Sequence, residues 1–207
     1  MALLAACIIL PLLLQIEEMV DLDTRLFIEV RGGYETELKM FLRYFTELGA
    51  LLIWFLVVPL LWFTKKRDTA VTLLVALLVV VLVEYSLKYA VDRPRPYEVI
   101  SNVDPLYRAF DPSFPSGHAM NAFAGAIAIG KKWRKLLPIL LALAAAIGFS
   151  RVYIGVHYPY DVASGALIGV LIGSLAVSLD LRGTVRWIES RSKRLVDRFG
   201  IGREQIP

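Results

Sequence analysis

The chain has one cysteine and two histidines among 207 residues. The lone Cys7 excludes an intramolecular disulfide and any cysteine-based metal centre. It follows Leu4-Ala5-Ala6, in the manner of a lipoprotein cleavage box, but no basic residue precedes it. A signal leader needs more length and that charge, so Cys7 reads as a small apolar membrane residue. Charge is scarce as well: 20% of residues are charged, below the roughly 25% of soluble domains. Against this, 57% are hydrophobic, more than one soluble core of this size can bury. The composition therefore predicts a polytopic membrane protein with a single domain over residues 1–207. The net charge of +4 is too small to imply a nucleic-acid partner. There is no internal repeat.

Five apolar stretches stand out, at 41–63, 70–91, 116–130, 136–152 and 159–181. A sixth, 2–16, is short and contains Pro11; a full span, a re-entrant piece and an interfacial helix all fit it, and a full span closes the topology. Three basic clusters then share one side. They are Lys65-Lys66-Arg67, the group Lys131, Lys132, Arg134 and Lys135, and the tail 182–207 with Arg182, Arg186, Arg191, Lys193, Arg194, Arg198 and Arg203. Short basic loops stay in the cytoplasm. The expectation is an all-α bundle of about six transmembrane helices, with both termini cytoplasmic and the basic tail against anionic lipid. On the other side fall an acid-rich segment, 17–47 (Glu17, Glu18, Asp21, Asp23, Glu29, Glu35, Glu37), and the connections 92–115 and 153–158. Both histidines lie on that extracytoplasmic side.

Those two connections hold the reactive residues. Lys88 is followed by Asp92-Arg93-Pro94-Arg95-Pro96, whose prolines force the chain out of the helix and leave three cations at one membrane face. Glu84, one turn before Lys88, either neutralises it or helps to position a substrate. Phe114-Pro115-Ser116-Gly117-His118 reads as a helix start, with Ser116 as N-cap and open N–H groups at Gly117 that favour an anion beside His118. In Ser150-Arg151-x5-His157-x3-Asp161, Pro159 suits a first helical turn. Asp161 can accept a proton bond from one imidazole nitrogen of His157 and leave the other free as a nucleophile. Arg151 offers a planar fork for phosphate oxygens.

Taken together, Lys88-x6-Arg95-Pro96, Pro115-Ser116-Gly117-His118 and Ser150-Arg151-x5-His157-x3-Asp161 resemble the three-part signature of the type 2 phosphatidic acid phosphatase superfamily in order, spacing and identity. The resemblance spans residues 88–161. It implies a metal-independent, cofactor-free membrane lipid phosphatase acting through a phosphohistidine. On that resemblance His157 is the nucleophile, Asp161 orients it, and His118 protonates the leaving oxygen and then activates water. Lys88, Arg95, Ser116, the Gly117 N–H and Arg151 hold the phosphate. The implied partners are the bilayer and a lipid phosphate: a polyprenyl diphosphate, phosphatidylglycerophosphate or phosphatidic acid. Arg93 falls outside the pattern and is expected to face lipid headgroups rather than a second phosphate.

Other classes weigh less. A lipid phosphotransferase would pass the phosphoryl group to an acceptor other than water. The soluble vanadium haloperoxidases of the same superfamily conflict with the hydropathy. A non-catalytic transporter or binding protein for an anionic lipid needs no nucleophile and acid pair. A metal site of two histidines and Asp161 would be repelled by the neighbouring cations.

Overall fold

The computed structural model describes residues 1–31, 36–179 and 181–199. Glu35, Arg203 and Glu204 lie outside the described residues, as do the side chains of Glu37, Arg182, Lys193, Asp197 and Arg198. All regular structure among the described residues is helical. The order is α1 (Ala2–Leu13), α2 (Glu17–Arg31), α3 (Thr36–Thr46), a 3-10 turn (Glu47–Gly49), α4 (Leu51–Phe63), α5 (Arg67–Val91), the short α6 (Pro96–Val99), α7 (Gly117–Gly130), α8 (Leu137–Tyr153), α9 (Pro159–Ser178) and α10 (Arg182–Phe199).

Among the described residues two helices, α5 with 25 residues and α9 with 20, are long and apolar enough to cross a bilayer core of about 30 Å alone. Two more crossings are available only as bent pairs. The run 2–16 is not one continuous span: α1 has 12 residues, about 18 Å of helix, and turns by 87° into the amphipathic α2. The run 41–63 is likewise broken, by 51°, at the 3-10 turn before α4. The acid-rich segment expected as a connection is mostly the helices α2 and α3. α8 is apolar but shorter, with 17 residues.

Lipid explains the surface. Leu52, Leu56, Leu60 and Phe63 are exposed along α4, and Leu78 and Leu82 along α5. In water, contiguous apolar faces of this kind would drive association. Inside, α7 is the central helix, packed on α5, α8 and α9 and buried along most of its length. Its seam with α9 is made by small residues. A side-chain carbon on Gly165 would stand 2.6 Å from the Ser116 carbonyl oxygen, on Gly169 2.5 Å from that of Met120, and on Gly173 2.8 Å from that of Ala124. Such close approach of backbones is how helices pack where lipid removes the hydrophobic drive. The seam sets the first turn of α7 beside the first turn of α9, and the Ser116 N–H donates to the Asp161 carbonyl oxygen at 3.0 Å.

Candidate active site

The C-terminal end of α5, the start of α7, the end of α8 and the start of α9 meet at one end of the bundle. The connection 92–115 folds over that end. Lys88 is buried in the last turn of α5, and Asp92 ends the helix in the left-handed region at φ 47°. Lys88 Nζ donates to the Pro112 carbonyl oxygen at 2.7 Å and pairs with Asp111 Oδ2 at 3.0 Å; Glu84 Oε1 stands further off, at 4.0 Å. Glu84 also lies against the α carbon of Gly117, so any larger residue there would collide with its carboxylate.

Arg95 spreads its guanidinium over the loop. Nε donates to the Asp111 carbonyl oxygen and Nη2 to Asp111 Oδ1, each at 2.8 Å, while Nη1 donates to the Val156 carbonyl oxygen at 2.8 Å. Nη1 also lies 3.4 Å from His157 Nε2. One carboxylate, Asp111, thus bridges the two cations Lys88 and Arg95. Burial alone would raise its pKa, but the Lys88 ammonium and the Arg95 guanidinium hold it down at about 2.

His157 sits in the turn between α8 and α9, which reverses through Gly155 at φ 86°. Its Nδ1 faces Asp161 Oδ2 at 3.6 Å, longer than a hydrogen bond, and Ser113 Oγ at 3.5 Å. Ser113 Oγ donates to the same Asp161 oxygen at 2.5 Å. Proximity of Nδ1 to the carboxylate favours the tautomer with its proton there, leaving the Nε2 lone pair toward the cations. Burial, and then Arg95, push His157 down to about 3, so the ring is neutral at ordinary pH.

Asp161 is fully buried in the first turn of α9 and well supplied with donors. Besides Ser113 it accepts the Tyr158 N–H at 3.0 Å and Arg93 Nη1 at 2.6 Å. Here the sequence reading needs correction. Arg93 does not face headgroups; it is 9% exposed and clamped between Asp161 and Asp23 of α2, the latter at 2.7 Å. Two buried carboxylates attract the guanidinium more strongly than a wet interface would. A second correction concerns Ser116: it precedes α7 as expected, but its side chain makes no capping bond.

Arg151 is buried and bonds the Tyr107 hydroxyl and, at 3.3 Å, Thr46 Oγ1. His118 lies in the first turn of α7 near His157 and the cations Arg151, Lys88 and Arg95. All eight expected site residues therefore converge on one end of the bundle. Among the described residues, three of their buried polar atoms make no hydrogen bond: Ser116 Oγ, His118 Nε2 and Arg151 Nε. Orphaned buried donors are rare and demand an explanation. No group of three or more His, Cys, Asp or Glu side chains among the described residues is placed to hold a metal ion. Asp111, Ser113, Tyr107 and Asp23 were not singled out from sequence. The Asp-Pro-Ser turn just before Phe114 could have flagged the first two; Asp23 carries no local signal.

A helix bundle that presents two imidazoles, a carboxylate and several cations at one end defines a helical membrane enzyme built to handle an anion. The chain belongs to the PAP2 superfamily, whose profile matches residues 69–183, and it is a phosphatase of that lipid phosphatase family. It is 29% identical over 185 residues to an undecaprenyl-diphosphatase of Sulfolobus acidocaldarius, covering 86% of this chain and 87% of that protein. It is 35% identical over 105 residues to phosphatidylglycerophosphatase B of Bacillus subtilis, covering 45% and 49%. Among solved structures, a PAP2-type phosphatidylglycerolphosphate phosphatase from Bacillus subtilis superposes with TM-score 0.72 at 27% identity, over 86% of this chain and 94% of that one. LpxE of Aquifex aeolicus superposes with TM-score 0.69 at 31% identity, over 75% and 94%.

Proposed function

We propose that the chain is one membrane-embedded domain that hydrolyses the terminal phosphate of a lipid phosphate through a phosphohistidine. The orphaned donors carry this reading. Ser116 Oγ, His118 Nε2 and Arg151 Nε belong to residues of the three-part pattern, and a phosphoryl group offers the acceptors they need.

His157 Nε2 attacks phosphorus, and the bond from phosphorus to the leaving oxygen breaks. His118, in its protonated form, gives that oxygen its proton. Asp161, 3.6 Å from Nδ1, stabilises the charge that develops on His157. Water then attacks phosphorus, His118 takes the water's proton, the bond from phosphorus to His157 Nε2 breaks with its electron pair returning to the ring, and inorganic phosphate leaves. Lys88, Arg95, Arg151, Ser116 and the Gly117 N–H hold the non-bridging oxygens through both steps. Positioning and charge supply the catalysis, as elsewhere in phosphoryl transfer.

A polyprenyl diphosphate is the substrate proposed first, because the undecaprenyl-diphosphatase resembles the chain over 86% of its length. Phosphatidylglycerophosphate is the second reading, supported by the superposition on the Bacillus subtilis enzyme at TM-score 0.72. The proposed topology has six crossings, both termini cytoplasmic and the site extracytoplasmic. Clustering supports it: Asp68, Lys131, Lys132 and Leu181 line one cleft, and Arg67 pairs with Glu189 of α10. The three basic regions thus meet at one end, opposite to the histidines.

The test is phosphate release in detergent, with a chelator present, from polyprenyl diphosphate, phosphatidylglycerophosphate and phosphatidic acid. Wild type is expected to turn over at least one, and His157→Ala none. Full activity in His157→Ala would sink the covalent route; dependence on added metal would sink metal independence.

A further inference from the structure

The geometry points to Arg93 and Asp23 as positioning residues for the Asp161–His157 pair, which makes α2 part of the catalytic frame. This rests on the reading of His157 as nucleophile. Arg93 stands outside the three-part pattern, and Asp23 lies outside the 69–183 segment that matches the family.

The contacts form one chain of charge. Arg93 Nη1 donates to Asp161 Oδ1 at 2.6 Å and Nη2 to Asp23 Oδ2 at 2.7 Å. Asp23 Oδ1 in turn accepts the Tyr160 N–H, in the first turn of α9, at 2.8 Å. The Tyr158 ring stacks under the guanidinium at 3.9 Å and keeps it from tilting. All three charged side chains are buried, with Asp161 at 0% and Asp23 at 4% exposed.

A carboxylate has two oxygens in one plane. Fixing Oδ1 on a rigid guanidinium fixes where Oδ2 stands, and Oδ2 is the atom facing His157 Nδ1 at 3.6 Å. Arg93 can do this only if it is itself anchored, and Asp23 is the anchor. Asp23 is held by the buried face of α2, which Phe27 shares, while Leu22 and Leu26 are exposed on the same helix. The orientation of the nucleophile therefore depends on the seating of α2. Among the described residues the side-chain bonds of Arg93 and Asp23 go to Asp161, to each other and to the Tyr160 N–H, not to Lys88, Arg95, Arg151 or Ser116, so the phosphate seat is expected to stand without them.

The test compares Arg93→Lys, Asp23→Asn and the double variant with wild type and His157→Ala, on protein that elutes as a folded peak. A lysine keeps the charge but lacks the planar fork that fixes the two carboxylates in one geometry, and an asparagine keeps the shape of Asp23 while losing its charge. Expected is a fall in kcat of about 10²-fold for Arg93→Lys and about tenfold for Asp23→Asn, as for small misplacements of a reacting group. KM and inhibition by inorganic phosphate stay within about threefold of wild type, since uniform binding is untouched. The double variant loses no more than Arg93→Lys, because both act through one link. Wild-type kcat in either folded single variant, or losses that fall on KM and phosphate inhibition, or losses that simply add, would overturn the inference. If Arg93→Lys does not fold, Asp23→Asn decides alone. Activity in His157→Ala would instead remove the nucleophile reading, so the two failures are distinct.

Discussion

Asp111 occupies, with a carboxylate, the space between the two cations that the motif assigns to phosphate oxygens. It bridges Lys88 at 3.0 Å and Arg95 at 2.8 Å. Asp111→Asn is expected to free both cations and tighten inhibition by inorganic phosphate about tenfold, worth about 1.4 kcal/mol, in a competition assay. An unchanged inhibition constant would show that Asp111 does not compete for the seat. The same residue sets an acid limit. Its pKa is depressed to about 2 from 3.8, so its stabilising contribution is complete above 3.8 and disappears as pH falls through about 2. His157 is depressed too, to about 3 from 6.5, which favours the folded state above 6.5 and costs stability as pH drops toward 3. With only two histidines, nitrogen NMR of histidine-labelled protein in detergent reads each ring. The signal absent from His157→Ala is expected to remain neutral through pH 6.5 in wild type and to titrate only near 3. A midpoint near 6.5 would mean a wet, open ring. Five of the eight expected site residues stood out because they sit in short, rigid sequence contexts, Arg-Pro, Pro-Ser-Gly-His and Pro-x-Asp, whose backbone preferences are local. Arg93, Asp111 and Asp23 were not, because their partners are set by tertiary contacts between α2, the loop and α9.

The apolar helices followed from hydropathy, but their continuity did not, nor did α2 and α3. The run 41–63 is apolar throughout its second half, yet the chain breaks at Glu47–Gly49 before α4. The reason is steric. Gly49 lies under Ile147 and His118, where an added side-chain carbon would stand 2.6 Å from Ile147 Cγ2 and 3.0 Å from His118 Cβ, and its carbonyl oxygen accepts a hydrogen bond from Asn121 Nδ2 at 3.3 Å. Nothing in an apolar count reveals a partner 72 residues away. The same holds for the α7–α9 seam, whose glycines look like breakers in sequence and act as contact surfaces in the fold. Gly169→Ala places a methyl carbon 2.5 Å from the Met120 carbonyl oxygen and is expected to destabilise by about 1–3 kcal/mol, seen as a lower Tm in detergent. Gly183→Ala, with no atom within 4 Å, is the control and is expected to be neutral or stabilising by about 0.4–1 kcal/mol. Equal melting of the two variants would refute close packing at the seam.

For the molecule as a whole, charge and chemistry separate. The basic turns gather at one end and the reactive residues at the other, and the proposed orientation rests on that separation. Cys7 is the one native thiol, so Cys7→Ser gives a clean background for labelling. In intact cells a membrane-impermeant maleimide is expected to label Asn102→Cys and not Lys132→Cys; the reverse pattern would invert the proposed orientation. The main-chain bond from the Ser116 N–H to the Asp161 carbonyl oxygen, at 3.0 Å, ties the start of α7 to the start of α9 without any side chain. Substituting an imidazole therefore leaves that tie in place. On the proposed reading of His157 as nucleophile, a His157→Ala protein keeps its seat for the headgroup and is expected to hold the lipid uncleaved. Mass spectrometry of what stays bound to it after purification would then name the lipid directly.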